Sequence, residues 1–253
     1  MDQSGRPVAL VTGGSRGIGA VTAVALAERG YDVVITYRNK VARAEEIVSQ
    51  LKERNVRGLG VKCNITRPNE VEDLFSLLQT WGGHLKLLIL NASGGLERDL
   101  LESDPDYPLH INRDAQVNLL EKATPLMSAG GTVVFVTSHW AHLYGQVEQL
   151  PAYGQVAESK HAGEQALRAH EQEMNAKGIR LIIVTGDLVD GTITPKLLER
   201  GAPERIAQWR NTPQPLPTAE EMGGAVAQVA TDANLRSGQT IVVGRSLESL
   251  RSS

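Results

Sequence analysis

The chain has 253 residues, of which 41% are hydrophobic and 22% charged, and its net charge is −3. That balance belongs to an ordinary globular protein with apolar content for a sizeable core, and it argues against a general polyanion binder such as a nucleic-acid-coating protein. The single cysteine, Cys63, excludes an intrachain disulfide and a cysteine-rich zinc site, and at a strand end it reads as a small core residue. No apolar run approaches the roughly 18 residues of a membrane span. The polar opening from Met1 to Pro7 lacks the apolar centre of a signal peptide. The expectation is a soluble, cytoplasmic protein with no nucleic-acid or membrane partner.

In chain order, strand-like runs fall at Val8–Val11, Asp32–Thr36, Gly58–Cys63, Leu85–Leu90, Thr132–Thr137, Ile179–Thr185 and Thr240–Val243. Most are continuously apolar rather than alternating, as expected of strands covered on both faces. Between them lie helical patterns at Ile18–Arg29, Val41–Arg54, Asn69–Thr80, a run ending near Met127, and Ala152–Ala176. Pro68 and Pro151 sit where a first helical turn tolerates proline. Alternating β and α predicts a Rossmann-type, doubly wound and mostly parallel sheet of seven strands, with helices on both faces and right-handed crossovers. No repeat or linker interrupts it, so residues 1–253 read as a single domain. One stretch breaks the rhythm: residues 187–217 carry Pro195, Pro203, Pro213, Pro215 and Pro217. A long segment after a strand's carboxyl end, on the ligand side of such a sheet, is a candidate substrate lid.

The most informative segment is Thr12-Gly13-Gly14-Ser15-Arg16-Gly17-Ile18-Gly19, directly after the first strand. A buried strand there enters a glycine-rich turn that opens a helix. Such a turn brings backbone close to a pyrophosphate, and the helix N-terminus faces the anion. A dinucleotide is therefore the leading ligand.

The spacing of Gly13, Gly17 and Gly19 resembles the Thr-Gly-x-x-x-Gly-x-Gly of the short-chain dehydrogenases/reductases, and the resemblance extends along nearly the whole chain. Asn91-Ala92-Ser93-Gly94 follows the fourth strand, where that family has Asn-Asn-Ala-Gly. Asn112 lies thirteen residues before Pro125-Leu126-Met127, Ser138 ends the fifth strand, and Lys160 lies eighteen residues before Gly178. Gly238-Gln239 precedes the last strand, also as in the family. The resemblance implies a cofactor held by Gly13, Ser15, Arg16, Gly17, Ile18 and Gly19, by Tyr37 and Arg38, by Asn64 and Ile65, by Asn91, Ala92 and Ser93, and by Lys160. NAD readers place an acid at the end of the second strand. Here that end reads Thr36-Tyr37-Arg38-Asn39. Arg38 and Arg16 suit a 2′-phosphate, because guanidinium groups form charge-assisted, often bidentate bonds to it, so the expected cofactor is NADP(H). The competing reading of Arg38 is a solvated surface charge. Asn64 replaces a common aspartate, and its amide still donates and accepts.

In the family a tyrosine four residues before the lysine transfers the proton, a serine orients the substrate oxygen, and an asparagine holds a relay water. Ser138, Lys160 and Asn112 match these positions, but Val156 stands where the tyrosine belongs. Valine cannot transfer a proton. Three replacements arise from the residues. Tyr153 precedes Lys160 by seven and shares its helix face, at an axial offset of about 10 Å for about 1.5 Å per residue. Tyr144 lies in a segment, Ser138 to Pro151, longer than is usual in the family. His139 and His142 flank Trp140, and an imidazole carries protons near neutrality; without a third ligand they make no metal site. Gly186-Asp187 replaces the family's Pro-Gly, and Asp187 reads as a loop cap. Gly244-Arg245-Ser246 replaces Asp-Gly-Gly. Retention of Ser138, Lys160 and Asn112 points to a reductase of a small carbonyl or related unsaturated substrate with non-standard proton delivery. Loss of the tyrosine points to the alternative, a catalytically weak NADP(H)-binding sensor or an inactive partner subunit. The family also implies a homodimer or homotetramer, with Ala157, Ala162, Ala166 and Ala169 small enough for close helix packing.

Overall fold

The computed structural model describes residues 5–82, 84–149, 152–199, 203–210 and 216–251. Seven parallel strands, β1 (Val8–Val11), β2 (Asp32–Tyr37), β3 (Gly58–Lys62), β4 (Leu85–Leu90), β5 (Met127–Ser138), β6 (Arg180–Gly186) and β7 (Thr240–Val243), form one sheet in the order β3-β2-β1-β4-β5-β6-β7. The order reverses between β1 and β4, which opens a crevice at their carboxyl ends.

Alternating side chains divide the core between the two faces. Val8 and Leu10 of β1 join one buried cluster with Leu88, Leu90, Phe135 and Ile183. Ala9 and Val11 join the other with Leu87, Ile89, Val134 and Val136. The central strands are thus apolar on both sides because each face is covered, while the edge strands β3 and β7 are only half-buried. The first cluster packs under α3 (Pro68–Trp81), α6 (Ala115–Ala123) and α8 (Gly154–Ala169), which contribute Leu74, Leu119 and Leu167. The second packs under α1 (Gly17–Glu28), α2 (Val41–Glu53) and α12 (Ala219–Thr231), with Leu26, Leu51 and Val226. Pro68 occupies the first turn of α3, where its missing N–H costs nothing; Pro151 lies outside the described residues. Thr218 and Glu221 close a reciprocal capping box on α12.

Two shorter helices and a widened turn lead into α6: α4 (Arg98–Ser103), α5 (Tyr107–Leu109), then a π turn at His110–Asp114. A single 3₁₀ turn, Thr124–Leu126, joins α6 to β5. The run expected as one helix over 152–176 is two. Helix α8 ends at Ala169, and α9 (Glu171–Ala176) restarts after His170. The His170 N–H bonds back three residues to Leu167 at 3.1 Å, tightening the final turn so that the next segment brings Met174 into the core. Within 187–217, α10 (Ile193–Leu198) and α11 (Pro203–Arg210) interrupt the irregular chain, while Pro213 and Pro215 lie outside the described residues. Asp190 makes an isolated parallel bridge to Thr218. A one-turn helix α7 (His139–His142) follows β5, and α13 (Leu247–Arg251) ends the described chain. Among the described residues no helix is long and apolar enough to cross a membrane.

Candidate active site

The glycine turn is shaped by contacts that no side chain would survive. A Cβ at Gly19 would lie 2.5 Å from the Gly13 carbonyl oxygen, and one at Gly14 would lie 2.6 Å from the Ile35 side chain. Gly13 and Gly17 adopt φ of +67° and +53°, the left-handed region that glycine enters without strain. Thr12 fastens the turn to the end of β4. Its hydroxyl donates to the Ile89 carbonyl at 3.1 Å and accepts from the N–H groups of Asn91 and Ala92, both at 3.0 Å. The Asn91 amide donates to the Thr12 carbonyl at 2.9 Å. No side chain caps the N-terminus of α1, so the first N–H groups of this long helix are left for an anion. That arrangement fits the diphosphate of a dinucleotide. Thr192, at the start of the long excursion, comes within 3.8 Å of where a Gly17 Cβ would stand, so that segment overhangs the turn.

The other expected cofactor contacts ring the same crevice. Ser15 and Ile18 are half-buried in the turn, Arg16 is exposed at its end, and Tyr37 is half-buried at the end of β2. Ile65 is buried, and Ser93 is exposed. The side-chain oxygen of Asn64 accepts from the Thr66 N–H at 3.3 Å and hydroxyl at 2.9 Å, an Asx turn that sets the loop after β3. Arg38 is not the freely solvated charge of the competing reading. Its guanidinium donates to the Tyr107 hydroxyl at 2.8 Å and lies 3.7 Å from the Glu97 carboxylate.

At the reaction end the three replacements fall in different surroundings. Ser138 caps α7, accepting from the Ala141 N–H at 3.2 Å. The buried Tyr153 hydroxyl, at the start of α8, donates to the same Ser138 oxygen at 3.1 Å. Tyr144 packs against the cluster that holds Tyr153 and Val156, with its ring centroid 5.8 Å from that of His161. His139 is fully buried with Nδ1 3.0 Å from the Thr185 hydroxyl, and burial lowers its pKa to about 4, so it is neutral. His142 faces the Glu164 carboxylate at 2.9 Å. Glu164 is itself buried and also holds Arg168, whose guanidinium reaches the Gly238 carbonyl and Thr240. Neither histidine meets Ser138.

Lys160 is buried on α8, and desolvation lowers its pKa to about 8. Asn112 sits in the π turn, a distortion common at functional positions. Its amide donates to the Gly94 carbonyl and the Ser159 hydroxyl, each at 2.9 Å, and so ties the loop after β4 to α8. A Cβ at Gly163 would sit 2.0 Å from the Asn112 carbonyl oxygen, which shows how closely α8 approaches this turn. Val156 packs against the loop after β4: a Cβ at Gly95 would lie 3.1 Å from its Cγ2. Val156, Tyr153 and Trp140 form a third apolar cluster with Leu188, Leu198 and Leu216 from the long excursion. Asp187 caps its own loop, accepting from the Leu188 N–H at 2.7 Å as expected, and also makes a buried ion pair with Arg245 at 3.0 Å. Arg245 therefore has a specific partner in place of the family's glycine. Sequence reading did not single out Glu97, Tyr107, Glu164 or the Asp187–Arg245 pair. Glu164 and Arg168, four residues apart on α8, carry a helical-spacing signal; the contacts of Glu164 with His142, of Arg38 with Tyr107 and Glu97, and of Asp187 with Arg245 are made across the fold.

A parallel sheet with a glycine turn at its switch point, and a serine, a buried tyrosine and a buried lysine on the neighbouring shoulder, defines a dinucleotide-binding α/β protein with acid–base groups beside the crevice. The comparisons narrow the class. The chain matches the short chain dehydrogenase family over residues 7–200 and belongs to it. It is 30% identical, over 94% of its length and 85% of the relative's, to a 1-cyclohexenylcarbonyl-CoA reductase of Streptomyces collinus. Among solved structures it is similar to a short chain dehydrogenase of Burkholderia cenocepacia J2315 in complex with NADP, at 26% identity and a TM-score of 0.83, covering 96% of this chain and 98% of that one. It is also similar to the reductase LugOII, which catalyses keto-reduction at C1 in lugdunomycin biosynthesis, at 26% identity and a TM-score of 0.77, covering 93% and 95%.

Proposed function

We propose that this chain is an NADP(H)-dependent reductase of a small carbonyl or conjugated unsaturated carbonyl compound, in which Tyr153 and Ser138 deliver the proton together. The observation that carries this reading is the 3.1 Å hydrogen bond between the two hydroxyls. A serine hydroxyl has two acceptor sites and one donor. The Ala141 N–H and the Tyr153 hydroxyl occupy the acceptor sites, so the remaining Ser138 proton is directed to the substrate oxygen. Burial raises the Tyr153 pKa, which keeps the phenol protonated and able to replace the proton that Ser138 gives up. Lys160 holds the nicotinamide ribose, and its positive charge favours the developing oxyanion. Asn112 braces the loop on which Gly94 and Gly95 wall the site. Bound NADPH supplies the hydride.

The NADP-bound Burkholderia relative and the absence of an acid after β2 both support the choice of cofactor. Leu188, Leu198 and Leu216 lie in an apolar cluster with Tyr153 and Val156, suited to a substrate with a hydrocarbon body. The half-buried Ala162 and Ala166 and the exposed Ala169 lie on the outward part of α8 and suit assembly into a homodimer or homotetramer. The test is NADPH oxidation against a panel of ketones, aldehydes and enoyl thioesters. Turnover of one class over the others is expected. Tight NADPH binding without turnover of any would replace the enzyme reading with that of a sensor or inactive partner.

A further inference from the structure

The crevice carries a contact that cofactor chemistry does not require. β2 and β4 flank β1 in the sheet, so the glycine turn leaves β1 between them. Arg38 follows β2, while Glu97 and Tyr107 follow β4. Their contact therefore crosses the mouth of the crevice above the end of β1. The guanidinium is fixed at one point by the Tyr107 hydroxyl, 2.8 Å away. One Glu97 carboxylate oxygen lies 3.7 Å from it. The other oxygen accepts from the N–H groups of Gly95 at 2.8 Å and Leu96 at 3.2 Å. Two backbone donors thus aim the carboxylate, and it is not a mobile surface acid that Arg38 happens to meet. Both side chains remain about one-third exposed, at 37% for Arg38 and 29% for Glu97, so the pair is open to exchange.

We propose that Glu97 is a specificity-determining residue: its carboxylate holds Arg38 and competes with the cofactor's 2′-phosphate for the same guanidinium. The proposal rests on the NADP(H) reading of Arg38. When a 2′-phosphorylated nucleotide enters, Arg38 exchanges one anion for another. A nucleotide with a free 2′-hydroxyl offers no replacement anion and leaves the contact intact. Glu97 accordingly weakens binding of the phosphorylated cofactor and leaves the unphosphorylated one unaffected. Because the Gly95 N–H is bound by the same carboxylate and Gly95 packs on Val156, the exchange also reaches the loop beside the reaction site.

The probes are adenosine 2′,5′-bisphosphate and 5′-AMP, titrated by intrinsic fluorescence into the full chain with no nicotinamide or substrate present. Glu97→Gln keeps an oxygen for the two backbone donors and removes the charge. It should bind the bisphosphate about three- to five-fold more tightly, the scale of a half-exposed ion pair, with 5′-AMP affinity unchanged. The gain should shrink at high salt and should largely vanish in an Arg38→Gln background. Glu97→Ala should give the same selective gain, and 5′-AMP affinity reports in each variant that the crevice is folded. Equal gains for both probes, no gain, or a gain of the same size without Arg38 would overturn the proposal. So would weaker 5′-AMP binding, since Glu97 would then be reading the 2′-hydroxyl. If the wild-type chain itself does not prefer the bisphosphate, the NADP(H) reading fails; if it does and the Glu97 variants are silent, only the present proposal fails.

Discussion

The turn that leaves β1 and the shoulder that follows β5 face the same crevice but are held by different means. In the turn, glycines let backbone approach backbone, and the Thr12 hydroxyl and the Asn91 amide pin it to backbone groups across the end of β4. On the shoulder, ionisable and hydroxyl side chains do the holding: Tyr153 on Ser138, His139 on Thr185, Glu164 between His142 and Arg168, and Asp187 on Arg245. The first construction admits little chemical variety, because a Cβ in the wrong place collides. The second tolerates exchange of one polar group for another if a new partner is within reach.

The contrast predicts that the shoulder is where single side chains carry large energies. Glu164→Ala should cost most. It leaves His142 and Arg168 facing an emptied buried site, and breaking a buried pair costs about 3–5 kcal/mol; urea unfolding measures it. Loss of less than about 1 kcal/mol would show that solvent readily reaches this network.

Next comes an acid sensitivity. Burial first, against a smaller favourable field from Asp187, places the His139 pKa at about 4. The unfolded chain takes up a proton near the ordinary histidine value of about 6.5, whereas the native chain refuses it until much lower pH. Stability should therefore be full above about 6.5 and fall as the pH drops through about 4, by on the order of 3 kcal/mol in all. His139→Gln should flatten unfolding curves over that window. An unchanged slope would show that His139 titrates normally.

Tyr153→Phe tests the shoulder's chemistry. Only a hydroxyl is removed from a packed ring, so the fold and NADPH affinity should persist while turnover falls by about 100-fold or more, the usual scale for a general acid. A fully active variant would remove Tyr153 from the reaction. The smallest effect joins the two regions. Burial disfavours the charge of Lys160 and lowers its pKa to about 8, so it is mostly cationic at neutral pH and loses that charge as the pH rises. NADPH affinity should weaken by up to about tenfold per pH unit above that value, and Lys160→Ala should be uniformly weak and lack this dependence. A pH-independent affinity in the wild type would place the ammonium away from the cofactor.

The same contrast explains how much of the molecule was legible before it was folded. The central strands were readable because they are apolar on both faces, and the glycine turn because its spacing answers to local geometry. The break at His170 was not: no glycine or proline marks it, and its cause is the demand for Met174 in the core. Tyr153 was legible as one of three candidates, since sharing a face with Lys160 is a matter of helical period. Its hydrogen bond to Ser138 was not, because that depends on where α7 and α8 come to rest.

The residues by themselves determined the order of strands and helices, the anion-binding turn with its uncapped helix end, and the absence of a tyrosine four residues before Lys160. Period, burial pattern and the steric demands of glycine act over a few neighbours, and a sequence displays them directly. Only the tertiary structure decided that the Tyr153 hydroxyl meets Ser138, that Glu164 is buried between His142 and Arg168, and that Arg38 is shared between Tyr107 and Glu97. Those meetings, the Glu164–Arg168 contact within α8 aside, join residues from separate elements of the sheet and its coverings. They depend on packing distances set by the whole fold, to which no local pattern is sensitive.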